Sequence, residues 1–355
     1  MMEETPDVSI VIAAFNAADT IGHAISSALA QQGVALEVIV ADDCSTDATR
    51  NVVGAIADPR LRLLALAENR GPGAARNAAI DAARGRWVAV LDADDTMRSD
   101  RLARMIARAE ADGAEIVVDN LAVVGADGSS RAMFDEHALE NRPDLTLADF
   151  IESNVLFRSQ YNFGYMKPIF RRQFLADHSL RFNESLRVGE DYLLLASALA
   201  AGARCVVDPN VGYLYHITEG SISRVLKLEH VEAMIAADGE LLGRYRLDGR
   251  ALAAQRRRRR SLIRAHSFLE LIGHLKRRSL AGALGIALRD PAALRHLSMP
   301  IAARLRRLKE RSLTLGPAEL SAKRAGSAIV PHTSKKRPAA PDRPDRAPFG
   351  NGTRP

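Results

Sequence analysis

The 355-residue chain has few of the residues and patterns that mark specialised protein classes. Its only cysteines are Cys44 and Cys205, which excludes a disulfide framework, and no Cys/His cluster has zinc-ligand spacing. No apolar run approaches the roughly 18 residues of a membrane-spanning helix. The acidic N-terminus lacks the apolar core of a secretory signal peptide. We therefore expect a globular protein of the reducing cytoplasm.

The formal net charge of +6 is unevenly distributed along the chain. Counting Lys, Arg, Asp and Glu gives −11 for residues 1–225, +12 for residues 226–316 and +5 for residues 317–355. This asymmetry favours an acidic catalytic domain over residues 1–225 and a basic helical extension over residues 226–316. Residues 317–355 hold 7 of the 15 prolines, and we expect this basic tail to be disordered.

Short β-branched runs alternate with helical segments through residues 8–120. The strands are nearly continuous apolar runs, which is typical of a parallel sheet buried on both faces. The predicted strands are Val8–Ala13, Glu37–Ala41, Leu61–Ala65, Trp87–Leu91 and Glu115–Val118. The predicted helices are Asp19–Gln31, Thr46–Ile56, Ala74–Ala83 and Ser99–Ala111. This alternation predicts an α/β fold with an open, doubly wound, mostly parallel sheet.

Polar segments follow each of the first four predicted strands. Phe15-Asn16 follows the first strand and Asp42-Asp43 the second; residues 69–77 follow the third and Asp92–Asp95 the fourth. In open α/β sheets, ligands bind at the carboxyl ends of the strands. We therefore expect the four segments to form one ligand site. For any one segment alone, the alternative is a solvated loop or a helix cap.

The segment Asp92-Ala93-Asp94-Asp95 brings three carboxylates together at the end of a buried strand. Carboxylates this close repel each other, and a hard divalent cation removes that conflict. Mg²⁺ is commonly held by one or two carboxylates together with substrate phosphates. The glycines of Gly71-Pro72-Gly73 lead into a helix N-terminus that favours phosphate, and Arg76 adds a forked donor. These patterns favour a site for a phosphorylated substrate with Mg²⁺ or Mn²⁺.

Glu190 and Asp191 directly precede the apolar segment Tyr192–Ala203, which predicts a helix. The helix dipole stabilises an ionised carboxylate at a helix N-terminus. Asp191 is therefore a candidate general base, since a base must be ionised to accept a proton. The alternative is ordinary acidity in the first turn of a helix.

Five motifs of this chain occur in the same order in the family 2 inverting glycosyltransferases of the GT-A fold, which the chain resembles over residues 7–225. The matching segments are residues 8–16, residues 37–43, Asn69-Arg70-Gly71 with Ala75-Arg76-Asn77, Asp92-Ala93-Asp94-Asp95, and Gly189-Glu190-Asp191. The chain departs from the family at Ala13, where proline is usual, and at Cys44, where glycine is usual. It is most similar to transferases of bacterial exopolysaccharide synthesis, such as the succinoglycan-type enzymes.

The resemblance implies a role for each matched side chain. A nucleotide-sugar donor, taken to be a UDP-sugar, would be bound by Phe15, Asn16, Asp43, Arg76, Asp92, Asp94 and Glu190. Within this set, Phe15 would stack on the uracil and Asp43 would bond its edge. Asp94 and Asp95 would hold Mn²⁺ or Mg²⁺ at the diphosphate. Asp191 would deprotonate a hydroxyl of a saccharide acceptor, free or lipid-linked, which then displaces the nucleotide with inversion.

A second candidate function is that of a haloacid-dehalogenase-like phosphatase. Residues 91–96 match the D-x-D-x-T motif of that family, with Asp92 as the nucleophile. That motif normally ends the first strand of its domain, whereas at least three predicted βα units precede it here. The order of elements therefore favours the transferase.

A third candidate function is a nonenzymatic binding module built on the basic C-terminal part, which includes the five-arginine run Arg256–Arg260. No nucleic-acid reader motif accompanies these charges, so we expect no nucleic-acid partner. An anionic membrane surface, contacted through residues 250–316, fits a basic amphipathic helix better. It predicts a peripheral location on the cytoplasmic face of the inner membrane. The alternative is a helical extension packed on the transferase.

Overall fold

The computed structural model describes residues 5–158, 162–217, 226–291, 293 and 294. These described residues belong to one compact unit. The predicted tail over residues 317–355 lies outside the described residues. The strands of the described part are β1 (Val8–Ala14), β2 (Leu36–Asp42), β3 (Leu61–Ala65), β4 (Trp87–Asp92), β5 (Thr96–Met97), β6 (Ile116–Val124), β7 (Ser130–Ala132), β8 (Ile169–Arg171) and β9 (Cys205–His216).

Eleven α-helices accompany these strands in the same described ranges, together with a 3₁₀ turn at Phe163–Tyr165. They are α1 (Ile21–Leu29), α2 (Thr49–Gly54), α3 (Pro72–Asp81), α4 (Arg101–Asp112), α5 (Glu136–Glu140), α6 (Leu147–Ser153), α7 (Arg172–Asp177), α8 (Glu190–Ala200), α9 (Leu228–Arg244), α10 (Gly249–Lys276) and α11 (Leu280–Arg289). The two predicted site residues Glu190 and Asp191 are the first two residues of α8.

The first half of the sheet is the predicted parallel sheet, in the order β3-β2-β1-β4. Its central strands are almost completely buried: Ile10, Ile39 and Leu91 have no exposed surface. Residues with branched side chains on both faces of a strand require cover on both sides, which explains the helices between the strands. This half confirms the prediction of an open, mostly parallel α/β sheet.

The second half of the sheet is mixed and was only partly predicted. Strand β8 is antiparallel to both β4 and β6, while β6 and β9 run parallel. The predicted strand ending at Val118 continues to Val124, because its partner β9 pairs along it with register shifts around Asn120. The short strand β5, which directly follows the Asp92–Asp95 turn, pairs antiparallel with β9. This pairing fixes the turn at the strand ends.

Helices α9 and α10 pack onto the rest of the compact unit. Val231 and Met234 of α9 form an apolar cluster with Leu262 of α10, against which Leu156 and Val188 also pack. This favours the packed extension for these two helices. The predicted domain boundary at residue 225 stays a prediction, because residues 218–225 lie outside the described part. No helix in the described ranges is long and apolar enough to cross a membrane.

The arginine run Arg256–Arg260 lies within α10, where successive side chains point about 100° apart. One of the five must therefore face inward. Arg258 is buried, and its Nη1 lies 3.0 and 2.9 Å from the carboxylate oxygens of Asp238 on α9. Arg257 pairs with Glu152 of α6 at 2.6 Å. Two of the five arginines thus hold α10 in place.

Candidate active site

A cavity of about 980 Å³ opens at the carboxyl ends of β1, β2 and β4. Its position follows from the topology, since parallel strands deliver their C-terminal loops to one edge. Asp95 does not line this cavity. The predicted residues that do line it are Phe15, Asn16, Asp43, Arg76, Asp92, Asp94, Glu190 and Asp191.

The guanidinium of Arg76 joins the two acidic motifs at the floor of the cavity. Its Nη2 lies 2.7 Å from Asp92 Oδ1, and its Nη1 lies 2.8 Å from Glu190 Oε1 and 3.3 Å from Asp191 Oδ1. The side chain is buried and stacks over the ring of Phe182 at 5.2 Å. Carboxylates that lie about a hundred residues apart in sequence therefore meet on one cation.

Lys167, which the sequence did not predict as a site residue, completes this network. Its Nζ lies 2.7 Å from Asp92 Oδ2 and 2.7 Å from Asp191 Oδ2. Its backbone carbonyl accepts a hydrogen bond from Arg101 Nη2 at 2.5 Å. Arg101 is itself fully buried and forms a two-pronged ion pair with Asp119, with both distances 2.8 Å. A buried ion pair thus positions the residue that bridges Asp92 and Asp191.

The network fixes the charge of its members. Burial disfavours the ionised form of Asp92, but the adjacent Lys167 and Arg76 cations outweigh burial and lower the pKa of Asp92. Burial likewise disfavours the charged form of Lys167, yet Asp191 and Asp92 raise the pKa of Lys167. Burial, followed by the neighbouring Asp191, raises the pKa of Glu190 against the opposing effect of Arg76. At neutral pH the centre therefore holds an ionised Asp92 beside a charged Lys167.

Asp43 shapes the loop that leads into α3. Its Oδ1 accepts the N–H of Arg70 at 2.8 Å, and its Oδ2 accepts the N–H of Gly71 at 2.7 Å. Gly71 has a φ of +96°, and a Cβ at this position would lie 2.5 Å from Nη1 of Arg187. The backbone conformation therefore favours glycine there, whereas the Arg187 guanidinium lies at the end of a flexible side chain and could move aside. Asp42 faces away from the cavity, with its Oδ2 2.5 Å from Nε of Arg50.

Asn16 connects the loops after β1 and β2. Its side-chain oxygen accepts the N–H of Thr46 at 2.9 Å, and its own N–H donates to Ser45 Oγ at 2.9 Å. The adjacent Phe15 lines the cavity and is 48% exposed, so one ring face is accessible to a ligand. Cys44 has a φ of +61°, a left-handed conformation that explains why glycine is usual there.

The three carboxylates of Asp92–Asp95 have different environments. Asp95 is buried: its Oδ2 accepts the Tyr213 hydroxyl at 2.8 Å and its Oδ1 accepts the His216 N–H at 2.8 Å. Burial raises the pKa of Asp95, and the neighbouring Asp92 and Asp94 carboxylates add to the increase. Asp95 therefore links β5 to β9. Its buried position outside the cavity does not support the predicted role as a metal ligand. Asp94 lies in the cavity.

The cavity has a chemistry that suits a divalent cation brought in with phosphates. Within the described ranges, no three His, Cys, Asp or Glu side chains converge as a preformed metal site. The lining nevertheless has more acidic than basic side chains, so an incoming diphosphate needs an added positive charge. The acidic members are Asp19, Asp43, Asp92, Asp94, Glu190 and Asp191, and the basic members are Arg76, Lys167, Arg187 and Arg258. One carboxylate with phosphate oxygens and water is a common Mg²⁺ arrangement, and Asp94 fits it.

The wall opposite the strand ends was not predicted. It includes Leu226, Met234 of α9 and Arg258 of α10, together with Tyr165 and Tyr215. The two tyrosine rings meet edge to face, with centroids 5.8 Å apart. Nε of Arg258 is buried and has no hydrogen-bond partner within the described part of the protein. Helices α9 and α10, which belong to the predicted basic helical extension, thus form part of the cavity wall.

Comparison with known proteins places the chain in a family. Residues 9–174 match the model of Glycosyl transferase family 2. The succinoglycan biosynthesis protein ExoO of Rhizobium meliloti (strain 1021) is 61% identical over 353 residues, which cover 99% of this chain and 97% of ExoO. The chain belongs to glycosyl transferase family 2. It is therefore a glycosyltransferase, which transfers a sugar from a nucleotide sugar to an acceptor, and the phosphatase alternative is wrong.

Further similar proteins support the assignment of this chain to the glycosyltransferases. The succinoglycan biosynthesis protein ExoU of the same organism is 38% identical and covers 81% of this chain and 84% of ExoU. Staphylococcus aureus TarS 1–349, solved with UDP-GlcNAc, has a TM-score of 0.56 at 20% identity, covering 79% of this chain and 91% of that one. The Pyrobaculum calidifontis mannosyltransferase PcManGT, solved with GDP-Man and Mn²⁺, has a TM-score of 0.55 at 19% identity, covering 85% and 81%. These structural similarities confirm the GT-A fold.

Proposed function

We propose that the cavity binds a UDP-sugar and that Asp191 is the general base of an inverting transfer. The observation that supports this most is the junction of Asp92, Arg76, Lys167 and Asp191, where every ion pair is between 2.7 and 3.3 Å long. Such a junction joins a donor-binding motif to a carboxylate at the start of a helix. A base beside the donor is the arrangement that direct displacement requires.

The donor would lie along the strand ends. Phe15 offers an accessible ring face for the uracil, and Asp43 borders the same part of the cavity. Asn16 holds the loops around the base in place, while Asp92 and Asp94 lie further along the cavity for the ribose and diphosphate. Arg76 and Glu190 would set the position of Asp92 and Asp191 beneath the sugar. Arg187, which lines the cavity and is 3.1 Å from Asn69, is a further cation for the diphosphate.

The chemical step would be a single displacement. Asp191 accepts the proton of an acceptor hydroxyl, whose oxygen forms a bond to the anomeric carbon as the bond to the diphosphate oxygen breaks. Lys167 and Arg76 hold Asp191 in place and remain paired with Asp92 when Asp191 gains the proton. Attack from the face opposite the leaving group inverts the anomeric configuration. A bound Mg²⁺ or Mn²⁺ would stabilise the charge on the departing UDP as a Lewis acid.

The ion would be held by Asp94, and the adjacent Asp95 provides a matched control. Asp94→Asn should lower the affinity for UDP in Mn²⁺ about tenfold or more, since tenfold corresponds to only about 1.4 kcal/mol. Asp95→Asn should leave the effect of Mn²⁺ in place, because Asp95 faces Tyr213 and His216. Titration calorimetry with UDP, in Mn²⁺ and in EDTA, measures this effect for each variant. A loss of the Mn²⁺ effect in Asp95→Asn with its retention in Asp94→Asn would reverse the assignment.

We also infer an acceptor and a setting for the reaction. The relatives ExoO and ExoU are named for succinoglycan biosynthesis, which supports a saccharide acceptor in exopolysaccharide synthesis. The donor is proposed to lie along the strand ends, so the acceptor would bind against the opposite wall, which is formed by α9, α10 and the two tyrosines. A lipid-linked acceptor would bring the enzyme to the cytoplasmic face of the inner membrane. The basic residues between 250 and 316 support peripheral contact with its anionic surface.

A further inference from the structure

Helix α11 has a row of leucines on its outer side. Leu280, Leu284 and Leu288 are 76%, 61% and 74% exposed, although leucine is one of the residue types most often buried. They are spaced four residues apart, so they lie on one face of the helix. This leucine row (Leu280, Leu284 and Leu288) is therefore a continuous apolar surface.

The orientation of the leucine row is fixed by packing on its other side. Ala283 and Ile286 of α11 are buried and form an apolar cluster with Leu271 of α10, against which Phe268 packs. Ala283 and Ile286 thus pack α11 against α10. Its three larger leucines point outward.

The surroundings of the leucine row are basic. Lys276 is the last residue of α10, Arg277 and Arg278 form the turn before α11, and Arg289 ends α11; all four are exposed. The sequence from residue 273 to 289 contains no Asp or Glu. Asp290, which follows Arg289 at the end of α11, is the one carboxylate next to this helix in the sequence. An apolar row with four cations and a single carboxylate at its ends is the pattern of a helix that lies in the interface of an anionic bilayer.

We propose that α11 docks the enzyme on an anionic lipid bilayer, with the leucine row inserted between headgroups and Lys276, Arg277 and Arg278 on the lipid phosphates. A second copy of this chain is a poorer occupant, because a two-fold contact through the same surface would set these cations against each other. This proposal deepens the membrane contact proposed above and assigns it to α11. It holds whatever sugar or acceptor the active site takes.

The contacts of the arginine run of α10 argue against this run as the main membrane-contacting surface. Arg258 is buried against Asp238, and Arg257 is paired with Glu152. Arg256, Arg259 and Arg260 are exposed but have no comparable row of exposed leucines beside them in the described part of α10. They are therefore a matched set of three cations for a control.

The test is sedimentation of the full-length protein with vesicles of phosphatidylcholine, with and without phosphatidylglycerol. The wild type should bind the anionic vesicles, more weakly at high salt. Leu280→Ser/Leu284→Ser/Leu288→Ser should weaken this binding about tenfold or more, because three apolar side chains no longer enter the bilayer. Lys276→Gln/Arg277→Gln/Arg278→Gln should also weaken it. Arg256→Gln/Arg259→Gln/Arg260→Gln should bind nearly as well as the wild type.

Several results would overturn the proposal. Equal vesicle binding by the wild type and the leucine variant would show that another segment makes the contact. Loss of binding in the α10 control alone would assign it to the arginine run. A wild-type dimer in light scattering that the leucine variant abolishes, without vesicle binding, would identify a second copy as the occupant. UDP titration of the same variants separates these failures from failure of the proposed active site, since α11 does not line the cavity.

Discussion

Asp191→Asn should abolish sugar transfer while leaving the affinity for UDP close to that of the wild type. A general base contributes about 10²- to 10⁴-fold to a rate, so the turnover number should fall by at least about 10²-fold. The asparagine oxygen can still accept from Lys167, which also keeps its 2.7 Å contact with Asp92. The donor site should therefore stay intact. Steady-state transfer assays and UDP titration measure the two effects separately.

Asp81→Asn is the control for this change. Asp81 is exposed and pairs with Arg181 at 2.7 Å, outside the cavity, so its loss should affect neither transfer nor UDP binding. If Asp191→Asn instead lost UDP binding along with transfer, Asp191 would belong to the donor site and another group would have to act as base.

Lys167→Met should lower the free energy of unfolding by about 3–5 kcal/mol at neutral pH, the range for breaking a buried ion pair. The reason is that Asp92 and Asp191 would share only Arg76. Asp92, with its lowered pKa, contributes stability above its unfolded pKa, and this is lost as pH falls through the folded pKa. Without Lys167 much of that contribution disappears. The difference in free energy of unfolding between wild type and variant should therefore be largest at pH 7, and it should narrow below the unfolded-state pKa of about 3.8. Urea denaturation across pH measures it.

Lys227→Met makes the same chemical change on the surface. Lys227 pairs with Glu229 at 3.2 Å, and both side chains are more than half exposed, so the expected loss is at most about 1 kcal/mol. Adding Asp92→Asn to Lys167→Met should recover part of the lost stability, because one of the two facing carboxylates becomes neutral. Equal losses for Lys167→Met and Lys227→Met would contradict the buried network.

The parallel half of the fold could be predicted because its signals are local. Apolar runs such as Val8–Ala13 and Trp87–Leu91 predict the strands, and the polar residues after each run indicate where the strand ends. The mixed half could not, because β8 is three residues long and β5 only two. Such strands are defined by their partners, as β5 is by β9, and not by their own composition.

The active site could be predicted where a motif surrounds the residue, as for Asp92, Arg76 and Asp191. Lys167 has no such signal: a single lysine before a short strand meets Asp92 and Asp191 only after the chain folds. The resemblance implies a metal-binding role for Asp95, yet the Asp95 carboxylate accepts a hydrogen bond from Tyr213 and does not line the cavity. Arg258, which lines the cavity, could not be distinguished by sequence from the other four arginines of its run. Only the helical geometry of α10 decides which of the five faces inward.

Turnover of a panel of nucleotide sugars by the wild-type enzyme, in Mn²⁺ and in EDTA, tests the central claim most directly. The proposed site predicts release of UDP from at least one UDP-sugar, faster in Mn²⁺ than in EDTA and abolished by Asp191→Asn when an acceptor is present. Turnover confined to sugars carried by another nucleotide, or undiminished transfer by Asp191→Asn, would contradict it.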